Sequence, residues 1–555
     1  MADSIKAIEM AKKQQDISIA EFFEKNRHLL GFDNKRKALL TTIKEAVDNS
    51  LDACEEARIL PDIQIEIIDM GNERFRVIVE DNGPGIVKKQ VPKIFAKLLY
   101  GSKFHKLSQS RGQQGIGISA AVLYSQLTTG RPAKITSRID KNYPSHYYEL
   151  HIDTKTNEPR VVADKEISWK VEHGTRIELD LEATYLKGDQ SVDEYLKQSA
   201  IVNPHAQITY INPKSEQILF PRVSHELPKQ TVEIKLHPYG VELGILIKML
   251  QTTESRTLQS FLSSDFSRVG PGTAKEICKN GRLLTTMKPR EMTRQHAEQL
   301  LEGIRQTKII APPTDCIAPI GEELVEKGLK KEINAEFYCA TTRPPSVYSG
   351  NPFVIEAGIA YGGELNPEGT IEVLRFANRV PLLYQQGACA ITESIAKTNW
   401  RPYGLSQSAN ALPQGPVVIL VDMASVWVPF TSEAKEAIAH YPEIIREIKL
   451  AVQECGRKLA LYVNRKRRVH DEFKKRNYIE MYIPHIAIGL KELLGLNEKE
   501  QSSLTEELRE LLEKHRGKLE SMEFDPSKNV EYDESLAKIG KAKGRKNDDE
   551  ETGEQ

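Results

Sequence analysis

Residues 111–120 read RGQQGIGISA, with three glycines in six positions just ahead of the apolar stretch ISAAVLYSQL (118–127). A glycine-rich loop entering a helix can present backbone N–H groups to phosphates. The P-loop form of such a loop ends in Gly-Lys-Ser/Thr, a signature found nowhere in this chain. Gly115, Gly117 and Ala120 match the G-x-G-x-x-A dinucleotide pattern, but that pattern follows a buried strand. The preceding KFHKLSQSRGQQ (103–114) is polar. By itself the loop suits a surface turn as well as a nucleotide site, and the sequence around it has to decide.

Working outward, residues 35–60 carry apolar side chains at Leu39, Ile43, Val47 and Leu51, with Leu40 and Cys54 alongside, and Pro61 follows. This spacing predicts a helix. IQIEIIDM (63–70) and RFRVIVE (74–80) alternate as strands, and the second runs straight into DNGPG at 81–85. ISAAVLYSQL predicts a helix, while AKITSRI (133–139), YYELHI (147–152), PRVVAD (159–164) and TRIELDL (175–181) predict strands. The simplest arrangement is α+β, a helix layer on a mixed, mostly antiparallel sheet, to about residue 228. A helical unit follows over 229–307, and then β and α segments return, among them the continuous apolar run PVVILVDM (416–423), which suits a buried strand. From Pro442, apolar residues at Ile445, Ile448, Val452, Cys455, Leu459 and Tyr462 recur at 3-4-3-4-3 spacing, which predicts a stalk packed against another helix. IAIGLKELLGL (486–496) and SLTEELRELLEKHRGKLE (503–520) predict two more helices, and the charged tail from about 521 is expected to be disordered.

Composition narrows the class. A chain of 555 residues is too long for one core, so about three or four domains are expected. The six cysteines form no C-x-x-C pair, which argues against a zinc site or a disulfide framework. MADSIKAIEMAKKQQD lacks a signal-peptide core, and no run of roughly 18 apolar residues occurs. The expectation is a soluble, cytoplasmic protein without a membrane partner. Lys plus Arg (77) almost cancels Asp plus Glu (78), so any DNA contact must be local.

On the first helix Glu45, Asp48, Asn49 and Asp52 sit at i, i+3, i+4 and i+7, a polar stripe opposite the apolar one. Alone it reads as a solvated face, DNGPG alone as a turn, and His173-Gly174-Thr175 alone as nothing. In order, however, Glu45-x-x-x-Asn49, strand-Asp81-Asn82-Gly83-Pro84-Gly85, Gly112-x-x-Gly115-x-Gly117 and His173-Gly174-Thr175 resemble the nucleotide fold shared by DNA gyrase, the ninety-kilodalton heat-shock chaperone, histidine kinases and the mismatch-repair clamp ATPase. The resemblance implies ATP as ligand and Mg2+ held by Asn49, with Glu45 taking a proton from the attacking water. It implies that Asp81 reads the adenine amino group, supported by Thr175, while Gly83 and Gly85 let the backbone approach the ring. The opening loop becomes a phosphate lid made of Ser102, Lys103, Gly112, Gln113, Gln114, Gly115, Ile116, Gly117, Ile118 and Ser119.

A histidine kinase needs a phospho-acceptor helix ahead of this fold, where only about 35 residues stand, and no Asp-x-Asp metal site for DNA cleavage is present. SRVGPGTAKEI (267–277) places Gly270, Pro271 and Gly272 before a helix, whose free N–H groups suit a DNA phosphate. The segment resembles a helix-two-turn-helix insert. In VPFTSEAKEAIA (428–439) Thr431 or Ser432 can cap a helix with Glu433 and Lys435 in its first turn. With SIAEFFEKNRHLLGF (18–32) and KTNWRPYGLSQS (397–408), these features resemble the ATPase chain of the type IIB topoisomerases, the B chain of a two-component enzyme, over residues 18 to about 520.

That resemblance implies an N-terminal strap (1–20), an ATP-binding domain (21–228), a helix-two-turn-helix domain (229–307), a transducer with its stalk (308–470), C-terminal helices toward an A subunit (471–520) and a charged tail (521–555). It further implies that Lys435 reaches the γ-phosphate from the transducer. A separate A subunit would cleave double-stranded DNA in an A2B2 assembly, and ATP would drive B–B dimerisation, strand passage, relaxation and decatenation. The candidate DNA contacts are Arg268, Gly270, Gly272, Lys275 and the RKRR run at 465–468. The alternative is an ATP-driven clamp of the chaperone or mismatch-repair type acting on a protein client.

Overall fold

The computed structural model describes residues 10–11, 14, 16–103, 106–112, 115–432 and 434–516. A short helix, α1 (Ile19–Lys25), leads to α2 (Lys35–Glu56), which starts where the Asn34 side chain accepts the Lys37 N–H at 2.9 Å. Leu39, Ile43, Val47, Leu51 and Cys54 on α2 are buried, each of the branched aliphatic side chains contributing about 1.5–3 kcal/mol relative to exposure. The helix stops at Ala57, followed by Arg58 in the left-handed region at φ 59°. Strands β1 (Asp62–Asp69) and β2 (Arg74–Asp81) form an antiparallel pair. Next come α3 (Val91–Ala96), α4 (Gly117–Thr129), β3 (Ala133–Arg138), β4 (Ser145–Asp153), β5 (Glu158–Ile167), β6 (Gly174–Glu182), α5 (Val192–Val202), β7 (Gln207–Ile211) and β8 (Gln217–Phe220). The eight strands form one sheet in the order β5-β4-β3-β6-β2-β1-β7-β8. Only the β1–β7 pairing is parallel in that sheet. Helices α2 and α4 pack on each other and on the sheet over one continuous apolar core.

Further cores follow. Helices α6 (Leu243–Thr252), α7 (Leu258–Asp265), α8 (Pro271–Asn280) and α9 (Arg294–Gln306) enclose Leu246, Leu258, Phe261, Leu262, Ile277 and Leu300. Then α10 (Glu322–Glu332) packs on a second sheet of β9 (Phe337–Thr342), β10 (Ser346–Tyr348), β11 (Asn351–Tyr361), β12 (Glu372–Ala377), β13 (Val380–Pro381) and β14 (Val417–Ser425), with α11 (Ala390–Ala396) between β13 and β14. Every residue of β14 is buried, as a strand covered on both faces requires.

The chain divides into two compact units, residues 1–400 with 405–456 and residues 401–404 with 457–555, a division inside the 308–470 segment expected from sequence. Helix α12 (Pro442–Leu494) belongs to both. Two expectations about it change. In the first unit its buried stripe runs through Ile444, Ile448, Ala451, Val452 and Cys455, with Ile444 in place of Ile445. This stripe meets a sheet rather than another helix: Cys455 Sγ lies 3.5 Å from the Ala357 carbonyl oxygen on β11. Heptad-like spacing marks only an apolar seam, and a flat sheet fills it as well as a helix does. In the second unit IAIGLKELLGL is no separate helix, because α12 continues through Pro484 to Leu494. The segment SLTEELRELLEKHR lies in α13 (Glu498–Arg516). Most of the expected strap, at 1–9, 12–13 and 15, and the tail expected from 521 lie outside the described residues.

Candidate functional site

Strand register brings the first pieces together. Asp81 ends β2 opposite Thr175 of β6, so DNGPG and His173-Gly174-Thr175 meet although they are remote in sequence. The Asp81 carboxylate accepts hydrogen bonds from Ser50 Oγ at 2.8 Å, the Gly83 N–H at 2.9 Å and the Thr175 N–H at 3.2 Å. Burial raises the Asp81 pKa, and the Ser50 hydroxyl opposes that rise. His173 Nδ1 lies 2.8 Å from the Gly83 carbonyl oxygen and fastens the turn. Gly85, at φ 68°, leaves no room for a side chain because a Cβ there would overlap the Arg138 carbonyl. That glycine answers to a neighbouring strand as well as to any ligand.

Asp81 and Thr175 line a cavity of about 610 Å³, a volume in the range of small-molecule pockets. Glu45 and Asn49 enter from α2, Gly85 and Ile86 from the β2 turn, and Ser102, Lys103, Gly112, Gly115, Ile116, Gly117 and Ile118 from the loop and the start of α4. Gly117 is held against Glu45 so closely that a Cβ would overlap the carboxylate. Of the other expected lid residues, Ser119 faces inward, 1% exposed with its Oγ donating to the Ile116 carbonyl, and Gly83 acts through its N–H on Asp81 rather than as cavity wall. Gln113 and Gln114 lie outside the described residues.

From the far side come Pro381, Leu382, Leu383, Tyr384 and Lys435. The helix predicted over 431–439 does not form. Instead Phe430 and Ile438 make an isolated antiparallel bridge, Thr431 N–H donates to Ala437 O at 2.9 Å, and Lys435 takes a left-handed backbone at φ 53°. The bridge draws both ends of the segment together, a geometry that a helix would prevent. Lys435 Nζ donates to the Arg111 carbonyl at 3.4 Å. Burial pulls its pKa below the ordinary lysine value, and Glu45 opposes that shift.

Several residues to which the sequence assigned no such role complete the site. The supposed solvated stripe is largely buried: Asp48 is 8% exposed and accepts from Tyr195 Oη at 2.9 Å. Burial pushes the Asp48 carboxyl up to about 7, against the pull of Lys44. Asp52 is bound by Lys103 and by Arg111, both at 2.8 Å. Arg111 also grips Glu55 at 2.7 Å, and His205 Nε2 lies 2.7 Å from the same carboxylate. Burial would raise Glu55, but Arg111 and His205 hold it well below the carboxylate range. The loop around Arg111 is pinned by backbone: Leu107 O accepts from Ile234 N at 3.1 Å, Gln109 N donates to Cys316 O at 2.9 Å, and Ser110 O accepts from Asn378 Nδ2 at 3.1 Å. A lone arginine in a polar loop carries no sequence signal for this, because its partners are Asp52 and Glu55 on α2 and Asn203 just after α5.

The candidate DNA contacts stand apart from the cavity. Gly270 precedes α8 as its N-cap, Gly272 lies in its first turn, Arg268 sits in the turn before at φ 61°, and Lys275 is exposed on the helix. The RKRR run lies on α12. Among the described residues, no group of three or more His, Cys, Asp or Glu could hold a metal ion, and no helix is long and apolar enough to cross a membrane.

Comparison with known proteins adds two family matches. Residues 34–184 match the histidine kinase-, DNA gyrase B-, and HSP90-like ATPase family, and residues 312–475 match the transducer family of the topoisomerase VI B chain. The chain is 55% identical over 489 residues to the B chain of type 2 DNA topoisomerase 6 from Methanococcoides burtonii, covering 88% of this chain and 79% of the relative. It is 53% identical to the protein of that description from Methanosarcina acetivorans over the same shares. The protein of that description from Archaeoglobus fulgidus is 49% identical, over 87% of this chain and 80% of the relative.

Proposed function

The chain belongs to the family of type 2 DNA topoisomerase 6 B chains, and from that premise we propose that ATP, bound and hydrolysed in the cavity described above, drives a DNA strand-passage gate. The chain is the ATPase component of a type II DNA topoisomerase, with an ATP-binding domain and a transducer. The observation that carries the mechanism is the meeting of Glu45, Asn49, Asp81 and Lys435 on one cavity, three of them from the N-terminal sheet domain and the fourth from beyond β14. Asp81 accepts from the adenine amino group, since a carboxylate already holding three hydrogen bonds keeps lone pairs for a fourth donor. The lid supplies backbone N–H groups, and Lys435 supplies a charge to the γ-phosphate. Glu45 takes a proton from water as the water oxygen bonds to the γ-phosphorus; the bond to the bridging oxygen breaks, leaving ADP and phosphate.

Mg2+ suits this donor set. It needs few protein ligands because water and phosphate oxygens complete its shell, and Asn49 offers an exposed amide oxygen close to Gly112. When bound, the ion neutralises phosphate charge. The partner in this reading is a cleaving A subunit in an A2B2 assembly on double-stranded DNA, with the B chains dimerising when ATP binds. The experiment is supercoil relaxation by the chain mixed with a cognate A subunit. ATP-dependent relaxation that disappears with Glu45→Ala supports the reading, and relaxation indifferent to ATP removes it.

A further inference from the structure

Lys435 reaches the cavity from a loop whose own backbone does not favour the pose. Its left-handed φ of 53° is strained for a side chain that is neither Gly nor Asn, so neighbouring contacts must hold it. The next residue supplies them. Glu436 is 7% exposed, and its carboxylate accepts from Gln385 Nε2 at 2.6 Å and pairs with the Lys37 ammonium. Lys37 stands in the first turn of α2, the helix that carries Glu45 and Asn49, and it also meets Asp33 at 3.1 Å and lies 5.1 Å from the Tyr384 ring centre. Gln385 is itself left-handed at φ 51°. Two strained positions, one on each side of this carboxylate, are thus fastened to it.

We infer that the Lys37–Glu436 pair is a positioning device: it fixes the loop to the helix bearing Glu45 and so aims Lys435 at the γ-phosphate. The inference rests on the role proposed for Lys435. A partly buried ion pair is a weak source of net stability but a strong source of register, because breaking it leaves one charge without its partner. Among the described residues, the Lys435 ammonium makes a 3.4 Å contact to the Arg111 carbonyl in the cavity. The pair one residue away therefore sets where its backbone starts. ADP, which lacks the γ-phosphate, gains nothing from Lys435, so the pair should matter for triphosphate and be silent for diphosphate.

The test uses the full chain as parent, Lys435→Ala, Glu436→Gln and the double variant, with Lys37→Met and Lys37→Arg as a second pair. ATP turnover is measured together with the affinities for ADP and a non-hydrolysable ATP analogue. Glu436→Gln keeps size and an acceptor for Gln385 while removing the charge. It is expected to lower kcat by about 10- to 100-fold and to weaken the analogue while ADP affinity stays within about twofold. In the Lys435→Ala background it should add nothing, because both changes remove one effect. Lys37→Met should copy it, and Lys37→Arg should restore the parent behaviour. Equal weakening of ADP and analogue would mark a merely structural pair, and additive losses would show that Glu436 does not act through Lys435; either result overturns the inference. If Lys435→Ala changes nothing, the γ-phosphate role falls and this inference with it. If Lys435→Ala is severe and Glu436→Gln silent, only the inference falls.

Discussion

At the scale of single residues, Glu45 and Asn49 lie one helical turn apart on α2 yet are expected to fail differently. On the role proposed for Glu45, Glu45→Ala would remove the proton acceptor and leave ground-state contacts, so turnover should fall by about 10²- to 10⁴-fold while ATP still binds. Asn49→Ala should instead weaken Mg-ATP itself, visible as a loss of nucleotide affinity in equilibrium titration. A third residue concerns stability. Burial pushes the Asp422 carboxyl from its ordinary 3.8 up to about 7, with Glu356 across the strand pair adding to the rise. The folded state then holds a proton that the unfolded state releases, so stability is lost as pH rises from about 4 to about 7. Asp422→Asn keeps the acceptor for the Arg379 N–H and removes the titration. Its thermal midpoint should decline less between pH 5 and pH 8 than the parent's, with a ceiling of roughly 3 kcal/mol on the stability difference over that range. The spacings of Glu45, Asn49 and Asp81 were legible because helical turns and strand ends are local. Arg111, Tyr195 and Glu436 were not, since each becomes part of the site only through residues tens to hundreds of positions away.

At the scale of elements, the sheet, α2 and the buried β14 could be read from periodicity, because one face or both faces in contact with a core leave a repeat in the sequence. The 428–439 segment could not. A Thr-Ser pair ahead of Glu433 satisfies the local rules for a helix start, but the Phe430–Ile438 bridge overrides them. The start of α4 offers an element-level test: Gly117→Ala is conservative for a helix, yet the added methyl would overlap the Glu45 carboxylate. Turnover should drop by roughly 10²-fold with the fold intact by circular dichroism. Helix α8 offers another, since Lys275 is exposed five residues past its Gly270 cap. If α8 meets a DNA phosphate, Lys275→Ala should lower the salt slope of DNA affinity by about one unit, measured by titration at several ionic strengths.

At the scale of the whole molecule, the γ-phosphate is the only part of the nucleotide that Lys435 is proposed to hold, so triphosphate and diphosphate should have different consequences for assembly. A non-hydrolysable ATP analogue is expected to shift the chain from monomer to dimer in sedimentation velocity, and ADP to do so poorly. The pinned loop at 107–112 bears on what happens afterwards. Its carbonyls and N–H groups are already engaged by residues 234, 316 and 378, and the Arg111 carbonyl by Lys435. If spent nucleotide leaves past this loop, those bonds must break first. On the proposed function the loop would then act as a clock, with the dwell of ADP rather than the chemical step setting how long a captured duplex is kept.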